Sequence, residues 1–393
     1  MADSNAGKIR VGIIFGGQSA EHEVSRVSAE SVLQHIDTDK YDIEVIGINR
    51  EGKWLAYKGD YKLIGTGEWE SVAEDQALRR RAESLKLMDA KTQKSNIGSN
   101  MDLVNSARGI LKNAGAEAGG RKLDVVFPVL HGTNGEDGTV QGLLELAGLP
   151  YIGSGILGSA LGMDKAYAKM LFERAGLTQG RYLVFSRKQI ECGIDGIADM
   201  IEDKLGYPNF IKPSNTGSSV GVSKAHGRAE LVTALKYASR FDRKVLAEEF
   251  IDGREVECAV LGNDDPIAST VGEVKPCNEF YDYAAKYASD SGSSIIIPAD
   301  LPPAVMEIIR DTAVKAFKVL DCAGMARVDF FVQTGTDKVL VNEVNTIPGF
   351  TSISMYPKLW EASGIGYTEL IDRLIDLAIE RYEDGRREYG FNG

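Results

Sequence analysis

The first strongly apolar run, Ile9–Phe15, is short, rich in β-branched residues and stopped by Gly16 and Gly17. That pattern predicts a buried strand. A helical stretch follows from about Glu23 to Ile36, and a second strand runs through Ile43–Ile48. Strand, helix and strand over about 40 residues make a βαβ unit with a parallel sheet. Asp124–Leu130 reads as another buried strand of that sheet. Between them, roughly 82–120 is polar and weakly periodic, as expected of an insertion with a loop and one helix near Met101–Ala114.

The pattern changes after Gly153-Ser154-Gly155. A helix is expected over Leu157–Ala175 and another over Arg228–Ser239. Strands are expected at Tyr182–Phe185, Asn209–Lys212, Val220–Ser223 and Val245–Phe250, which together make a small α+β unit. From Gly253 strands and turns alternate up to Thr270, and Glu273–Ser294 is polar and irregular, as lids are. Val305, Ile308, Ile309, Ala316, Phe317 and Leu320 then show the 3–4 spacing of a helix. Strands at Met325–Val332 and Val339–Val344 flank Gly335-Thr336-Asp337, a hairpin turn. The last helix buries Ile371, Leu374, Ile375, Ala378 and Tyr382. Three domains are expected, over 1–153, 154–247 and 248–393.

Length and composition agree with several cores. A chain of 393 residues with 43% hydrophobic and 26% charged residues suits a multidomain α/β protein. A net charge of −12 argues against non-specific nucleic-acid binding and against anionic membranes, but a few local cations suffice for one nucleotide. Cys192, Cys258, Cys277 and Cys322 have no CxxC spacing and read as isolated buried thiols of a reducing compartment. Met1–Gly7 lacks the apolar core of a signal peptide, and no apolar run is long enough for a membrane span. A cytoplasmic protein is the expectation.

The most informative chemistry is Arg327-Val328-Asp329 with Glu343-Val344-Asn345. Residues i and i+2 of a strand share a face. If the hairpin pairs these strands, two carboxylates and an amide oxygen converge beside a guanidinium. Hard oxygen ligands of this kind suit magnesium, which binds through one or two carboxylates plus substrate phosphates. A solvated strand face with an ordinary ion pair is the alternative.

Lys212-Pro213-Ser214-Asn215-Thr216-Gly217-Ser218-Ser219-Val220-Gly221 puts a lysine at a strand end, before a loop whose N–H groups can approach a phosphate. It is not a GxxxxGK[ST] loop, and a flexible connection is the alternative. Gly16–Ser25 lacks the GxGxxG of a dinucleotide site, yet delivers Glu21 to the carboxyl end of the first sheet. Glu21 could hold a substrate ammonium, or merely favour the next helix N-terminus. His131–Gly138 places a histidine among turn residues after another strand, and Phe280–Tyr287 gathers three tyrosines and a lysine on a loop. Magnesium–nucleotide binding between domains, faced by a carboxylate of the first, is the simplest joint account.

In this order and at these spacings, Gly16–Ser25, His131–Gly138, Met163-Asp164-Lys165, Lys212–Gly221, Tyr281–Tyr287 and Asn342–Ser352 resemble the D-alanine–D-alanine ligase family. The resemblance spans roughly residues 8 to 382. His22 and the insertion before His131 resemble its longer branch, which includes the vancomycin-resistance ligases. The resemblance implies a Rossmann-like N-terminal domain followed by a two-lobed ATP-grasp fold, and peptidoglycan synthesis by ATP-dependent joining of two D-alanines through an acyl phosphate. It implies that Lys165 and Lys212 contact ATP phosphates, with Ser218 and Ser219 in the nucleotide loop. Glu248, Glu249, Phe250 and Ile251 would form the adenine hinge, and Glu255 would hold the ribose. Asp329, Glu343 and Asn345 would bind two magnesium or manganese ions. Glu21 would hold the first D-alanine's ammonium, with His131 also at the substrate, while Arg327 and the N–H of Gly349 face the developing oxyanion. Lys286 and Ser354 would hold the second D-alanine's carboxylate, and Ser218 and Tyr287 would join Glu21 in a network that closes the lid. Glu249 departs from the uncharged or basic residue of many members, which leaves only its backbone for the base. A homodimer is expected. D-alanine–D-lactate ligation and a non-catalytic nucleotide-binding protein are the alternatives; Tyr287 argues against the first, the retained Arg327, Asp329, Glu343 and Asn345 against the second.

Overall fold

Strand β1, Ile9–Gly16, is buried along its last six residues, as a β-branched run flanked on both sides must be. It pairs in parallel with β2 (Tyr41–Ile48) and β4 (Val125–Val129), and the helix His22–His35 makes the crossover. The short antiparallel strand β3 (Trp54–Tyr57) adds an edge the hydrophobic pattern does not announce, giving the order β3-β2-β1-β4. The computed structural model describes residues 7–87, 122–275 and 294–386. The expected helix near Met101–Ala114, Cys277, Tyr281, Tyr283, Lys286 and Tyr287 lie outside them.

A second, antiparallel sheet has the order β5-β8-β6-β7. Its strands are β5 (Tyr182–Ser186), β6 (Asn209–Pro213), β7 (Ser223–Ala225) and β8 (Lys244–Glu249). Helices Arg187–Leu205 and Arg228–Ala238 pack on it and close a core of their own around Ile201, Leu235 and Ala247. The strand expected at Val220–Ser223 begins only at Ser223, because Ser218, Ser219 and Gly221 have left-handed φ of 45°, 60° and 77°, which keep the chain turning.

The third sheet is antiparallel with the order β11-β10-β9-β12-β13. Its strands are β9 (Gly253–Gly262), β10 (Ile267–Lys275), β11 (Ser294–Ile296), β12 (Gly324–Gln333) and β13 (Val339–Asn345). Along β9, Val256, Cys258 and Val260 face the helix Pro303–Val319, while Ala259 and Leu261 join the cluster on the other side. That second cluster runs through the first sheet and the helices Met355–Ala362 and Tyr367–Asp384. Phe127 and Phe350 meet edge-to-face within it, at 5.5 Å between centroids. The first and third sheets thus share a core.

Five further expectations need correction, the first being Tyr382, which is only half-buried at the end of the last helix. The helix over Leu157–Ala175 is two helices, Ile156–Met163 and Lys165–Arg174. Asp164 has extended backbone and caps the second through its side chain, accepting from Tyr167 N at 3.3 Å. Glu273–Lys275 and Ser294 belong to strands, because Glu273 pairs with Ile296 and Lys275 with Ser294. Ile308 is half-exposed at 51%, since it lies on the outward face of the helix beside the buried Ile309. Cys192 is exposed, whereas burial pushes the Cys258 and Cys322 thiols up to about 12. Among the described residues no helix is long and apolar enough to cross a membrane.

Candidate active site

The loops after β1 and β4 leave the carboxyl ends of the first sheet, where open α/β sheets bind ligands. Glu21 precedes the helix His22–His35, but its carboxylate makes no cap there. It turns instead to the middle unit, and the Ser218 hydroxyl donates to Glu21 Oε1. Gly132 and Gly217 press against the same carboxylate, and a Cβ at either would strike Glu21 Oε2. Ser19, Ala20, Glu21, Gly132, Thr133, Thr216, Gly217 and Val220 line one small cleft between the units. Ser218 and Ser219, at consecutive left-handed positions, hold strain of about 1–3 kcal/mol each, a feature that clusters at ligand-binding loops.

The same loop meets the lysines. Asp164 accepts from Ser214 Oγ at 2.6 Å and pairs with Lys244, which pins the start of the helix Lys165–Arg174. Lys165 Nζ then donates to Thr216 O at 2.9 Å and lies 3.5 Å from Glu343 Oε2 of the third sheet. Lys212, at the end of β6, reaches Glu248 Oε2 at 2.6 Å. Burial alone would lower the Lys212 ammonium, but Glu248 and Glu343 outweigh it and raise it. Lys169 holds the other Glu248 oxygen at 2.9 Å.

A second cleft is lined by Lys169, Gly180, Glu248, Glu249, Ile251, Phe331, Val341 and Asn342. The Glu249 carboxylate is engaged by Arg181, from its N and its Nε, both at 2.6 Å. Phe250 is 38% exposed with Lys224 Nζ 4.4 Å over its ring, and Glu255 is half-buried on β9.

On the third sheet the register sets Arg327 opposite Asn345 and Asp329 opposite Glu343. Met325 on this face is in the shared core, whereas Arg327 and Asp329 further along the strand are half-buried. Arg327 donates to both Asp329 oxygens at 2.7 Å, and its Nε lies 2.9 Å from Glu257 Oε2. Asn345 Nδ2 donates to Asp329 Oδ2 at 3.0 Å. Among the described residues no three His, Cys, Asp or Glu side chains converge on a closed metal cage. Two carboxylates and an amide are the open donor set of magnesium, which keeps phosphate and water ligands. The residues present therefore fit that metal.

His131 is buried with both ring nitrogens engaged. Nδ1 lies 3.0 Å from Ile347 O, so it carries the proton, because a carbonyl only accepts. Nε2 then accepts from Ser28 Oγ at 3.2 Å, and Ser28 Oγ accepts from Phe350 N at 3.2 Å. Burial, partly offset by Glu21, lowers the imidazole pKa and keeps it neutral. Glu136 accepts from Gly132 N at 2.7 Å and Ile347 N at 3.2 Å, and burial, then Glu21, pushes its carboxyl up. Gly349 abuts Ser354, whose Oγ accepts from Thr351 N at 3.0 Å.

Comparison with known proteins decides the family. A family model described as D-ala D-ala ligase N-terminus matches residues 10–154, and one described as D-ala D-ala ligase C-terminus matches 171–376. The chain belongs to the D-alanine–D-alanine ligase family. The D-alanine–D-alanine ligase of Acetivibrio thermocellus is 60% identical over 97% of this chain and 99% of its own length. The solved Coxiella burnetii D-alanine–D-alanine ligase superposes with a TM-score of 0.75 at 35% identity, covering 96% of each chain. The VanG D-Ala:D-Ser ligase of Enterococcus faecalis gives 0.76 at 38% identity, covering 94% of this chain and 99% of that one. The fold is the ATP-grasp fold of this family, which implies the use of ATP with magnesium.

Four residues that line the clefts or contact the site residues, Lys169, Phe331, Glu257 and Glu136, are not singled out by sequence motifs. Lys169 follows Lys165 by one helical turn, and Glu257 follows Glu255 on the same strand face, so periodicity offers both. Glu136 lies inside the His131–Gly138 motif, hidden by its turn-like composition. Phe331 reads only as core.

Proposed function

We propose that this chain joins two D-alanines into D-alanyl-D-alanine for peptidoglycan synthesis, using ATP and forming an acyl phosphate. The observation that carries the reading is one loop with two duties: Ser218 donates to Glu21, and Thr216 two residues earlier accepts from Lys165. A carboxylate suited to an ammonium thus adjoins a cationic site suited to phosphates. A relative named D-alanine–D-alanine ligase, 60% identical over 97% of the chain, supports D-alanine as the substrate.

In this reading Glu21 holds the ammonium of the first D-alanine, with His131 also at the substrate and its ring anchored by Ile347 O and Ser28 Oγ. The carboxylate of that first D-alanine attacks the γ-phosphate of ATP, giving the acyl phosphate and releasing ADP. Lys165 and Lys212 draw the phosphates in and offset the repulsion of two anions. Asp329, Glu343 and Asn345 would hold two magnesium ions, which neutralise phosphate charge when bound. The second D-alanine, its ammonium deprotonated, attacks the acyl carbon; Arg327 and the Gly349 N–H stabilise the oxyanion, and phosphate leaves as the nitrogen gives up a further proton. Lys286 and Ser354 hold the second carboxylate, and Tyr287 extends the Ser218–Glu21 network. Adenine sits against the second cleft, along Glu248–Ile251, with Glu255 at the ribose and Ser219 at the phosphates. Exclusion of water protects the acyl phosphate. The chain divides near 153 and 247 to serve these steps, and works as a cytoplasmic homodimer.

The test is phosphate release with product analysis, supplying ATP, magnesium and D-alanine, then D-serine or D-lactate as competitors. D-alanyl-D-alanine as the main product is expected. ATP turnover that yields only a mixed product, or none, would replace this reading.

A further inference from the structure

Three side chains of the first unit grip one short segment of the third. His131 Nδ1 donates to Ile347 O at 3.0 Å, Ile347 N donates to Glu136 Oε1 at 3.2 Å, and Phe350 N donates to Ser28 Oγ at 3.2 Å. Both backbone groups of Ile347 are thus taken by side chains from more than 200 positions earlier, at separations of 216 and 211. Glu136 does more than close this grip. Its second oxygen accepts from Gly132 N at 2.7 Å. Gly132 has a φ of 72°, and its Cα faces Glu21 Oε2 so closely that a Cβ would stand 2.5 Å away. One carboxylate therefore ties together the peptide behind Glu21 and the peptide two residues before Gly349.

We propose that Glu136 is a positioning residue that fixes the separation between Glu21 and Gly349, and so the fit of one α-amino acid between its ammonium holder and its oxyanion donor. The inference rests on the functional reading above, in which Glu21 and Gly349 serve the two ends of the first D-alanine. Glu136 itself touches no substrate in this account. Both partners are N–H donors, and each oxygen of the Glu136 carboxyl keeps a lone pair to accept one of them, also with the carboxyl pushed up to about 8 by burial and Glu21. A glutamine offers one acceptor oxygen and turns an N–H toward the other donor, so it keeps one tie and breaks the second. Misplacing a reacting group by about 1 Å can cost on the order of a hundredfold in rate, even when the change lies away from the bonds being made.

The test compares full-length wild type with Glu136→Gln and Glu136→Ala. It reads dipeptide formation, the KM for ATP, the inhibition constant of a phosphinate analogue of D-alanyl-D-alanine, and Tm. Glu136→Gln is expected to stay folded, to lose roughly 10- to 100-fold in kcat, and to leave the KM for ATP within about twofold. Its affinity for the tetrahedral analogue should fall in parallel with kcat, and Glu136→Ala should lose more of both. A merely structural tie would lower Tm without moving analogue affinity. Wild-type kcat and analogue affinity in a folded Glu136→Gln would overturn the inference, and so would its failure to fold, which would make the carboxylate a general requirement of the structure. Wild-type protein that forms no dipeptide would overturn the functional reading and the inference with it.

Discussion

Lys169 and Glu248 form an ion pair at 2.9 Å in which both side chains are almost wholly buried. Removing one partner of such a pair leaves a charge without compensation, at a usual cost of about 3–5 kcal/mol. Lys212 also holds Glu248, so Lys169→Met should fall at the lower end of that range. Urea unfolding measures it. A change within error of zero would mean that Lys212 alone satisfies the carboxylate.

The same cluster gives the stability a definite pH dependence. Burial would raise the Glu248 carboxyl, but Lys169 and Lys212 override it and hold the pKa at about 2, against 4.5 for the free group. The folded value lies below the unfolded one. The stabilisation is therefore complete above the unfolded pKa and is lost as pH falls through it toward the folded value. Denaturant unfolding between about pH 5 and about pH 3 should show stability declining. Lys169→Met, by releasing part of the hold, should flatten that decline, and an unchanged slope would remove Glu248 from the explanation.

Ser218→Ala deletes the hydroxyl that Glu21 accepts. A hydrogen bond to a charged group contributes about 1.5–3 kcal/mol. The loss in kcat/KM for D-alanine should be roughly 10- to 100-fold. The KM for ATP should change less, because Lys165 binds the loop through the Thr216 carbonyl. Steady-state kinetics that showed the ATP term failing first would assign Ser218 to the nucleotide instead.

Glu343→Gln should keep the fold, since Glu343 lies on a half-buried strand face and not in a core cluster. Losing one preorganised charge typically costs about 10²–10³ in kcat. Circular dichroism with a magnesium titration of activity separates the two effects. Near wild-type turnover with ordinary magnesium dependence would remove Glu343 from the metal site.

Much of the third sheet is legible from two-residue periodicity alone. Arg327 with Asp329 and Glu343 with Asn345 share faces by strand geometry, and the turn at Gly335–Asp337 makes them neighbours. The bulge after Asp329, where Phe330 pairs with Val341, is not legible, because it depends on how the strand twists against its partners. Asp164 breaks a helix that periodicity draws as continuous, since apolar spacing on either side carries no record of one extended residue. Glu136 is the clearest omission. Its partners are backbone N–H groups, and the one at Ile347 lies 211 positions away. No local pattern encodes such a pair.

The middle sheet keeps its own apolar core, while the first and third sheets are fused through Phe127 and Phe350. The helix Lys165–Arg174 packs into the core of the third sheet through Ala168 and Phe172, and across the cleft the loop of the middle sheet is held by polar links, Ser218 to Glu21 and Thr216 O to Lys165. Such links exchange with water at small net free energy, whereas parting an apolar interface costs about 25 cal/mol for each Å² exposed. The work of lifting this loop is therefore set by a few latches and not by the cores. A phosphate arriving at Lys165 or an ammonium at Glu21 competes for these latches directly, so the ligands themselves decide how tightly the cleft is shut.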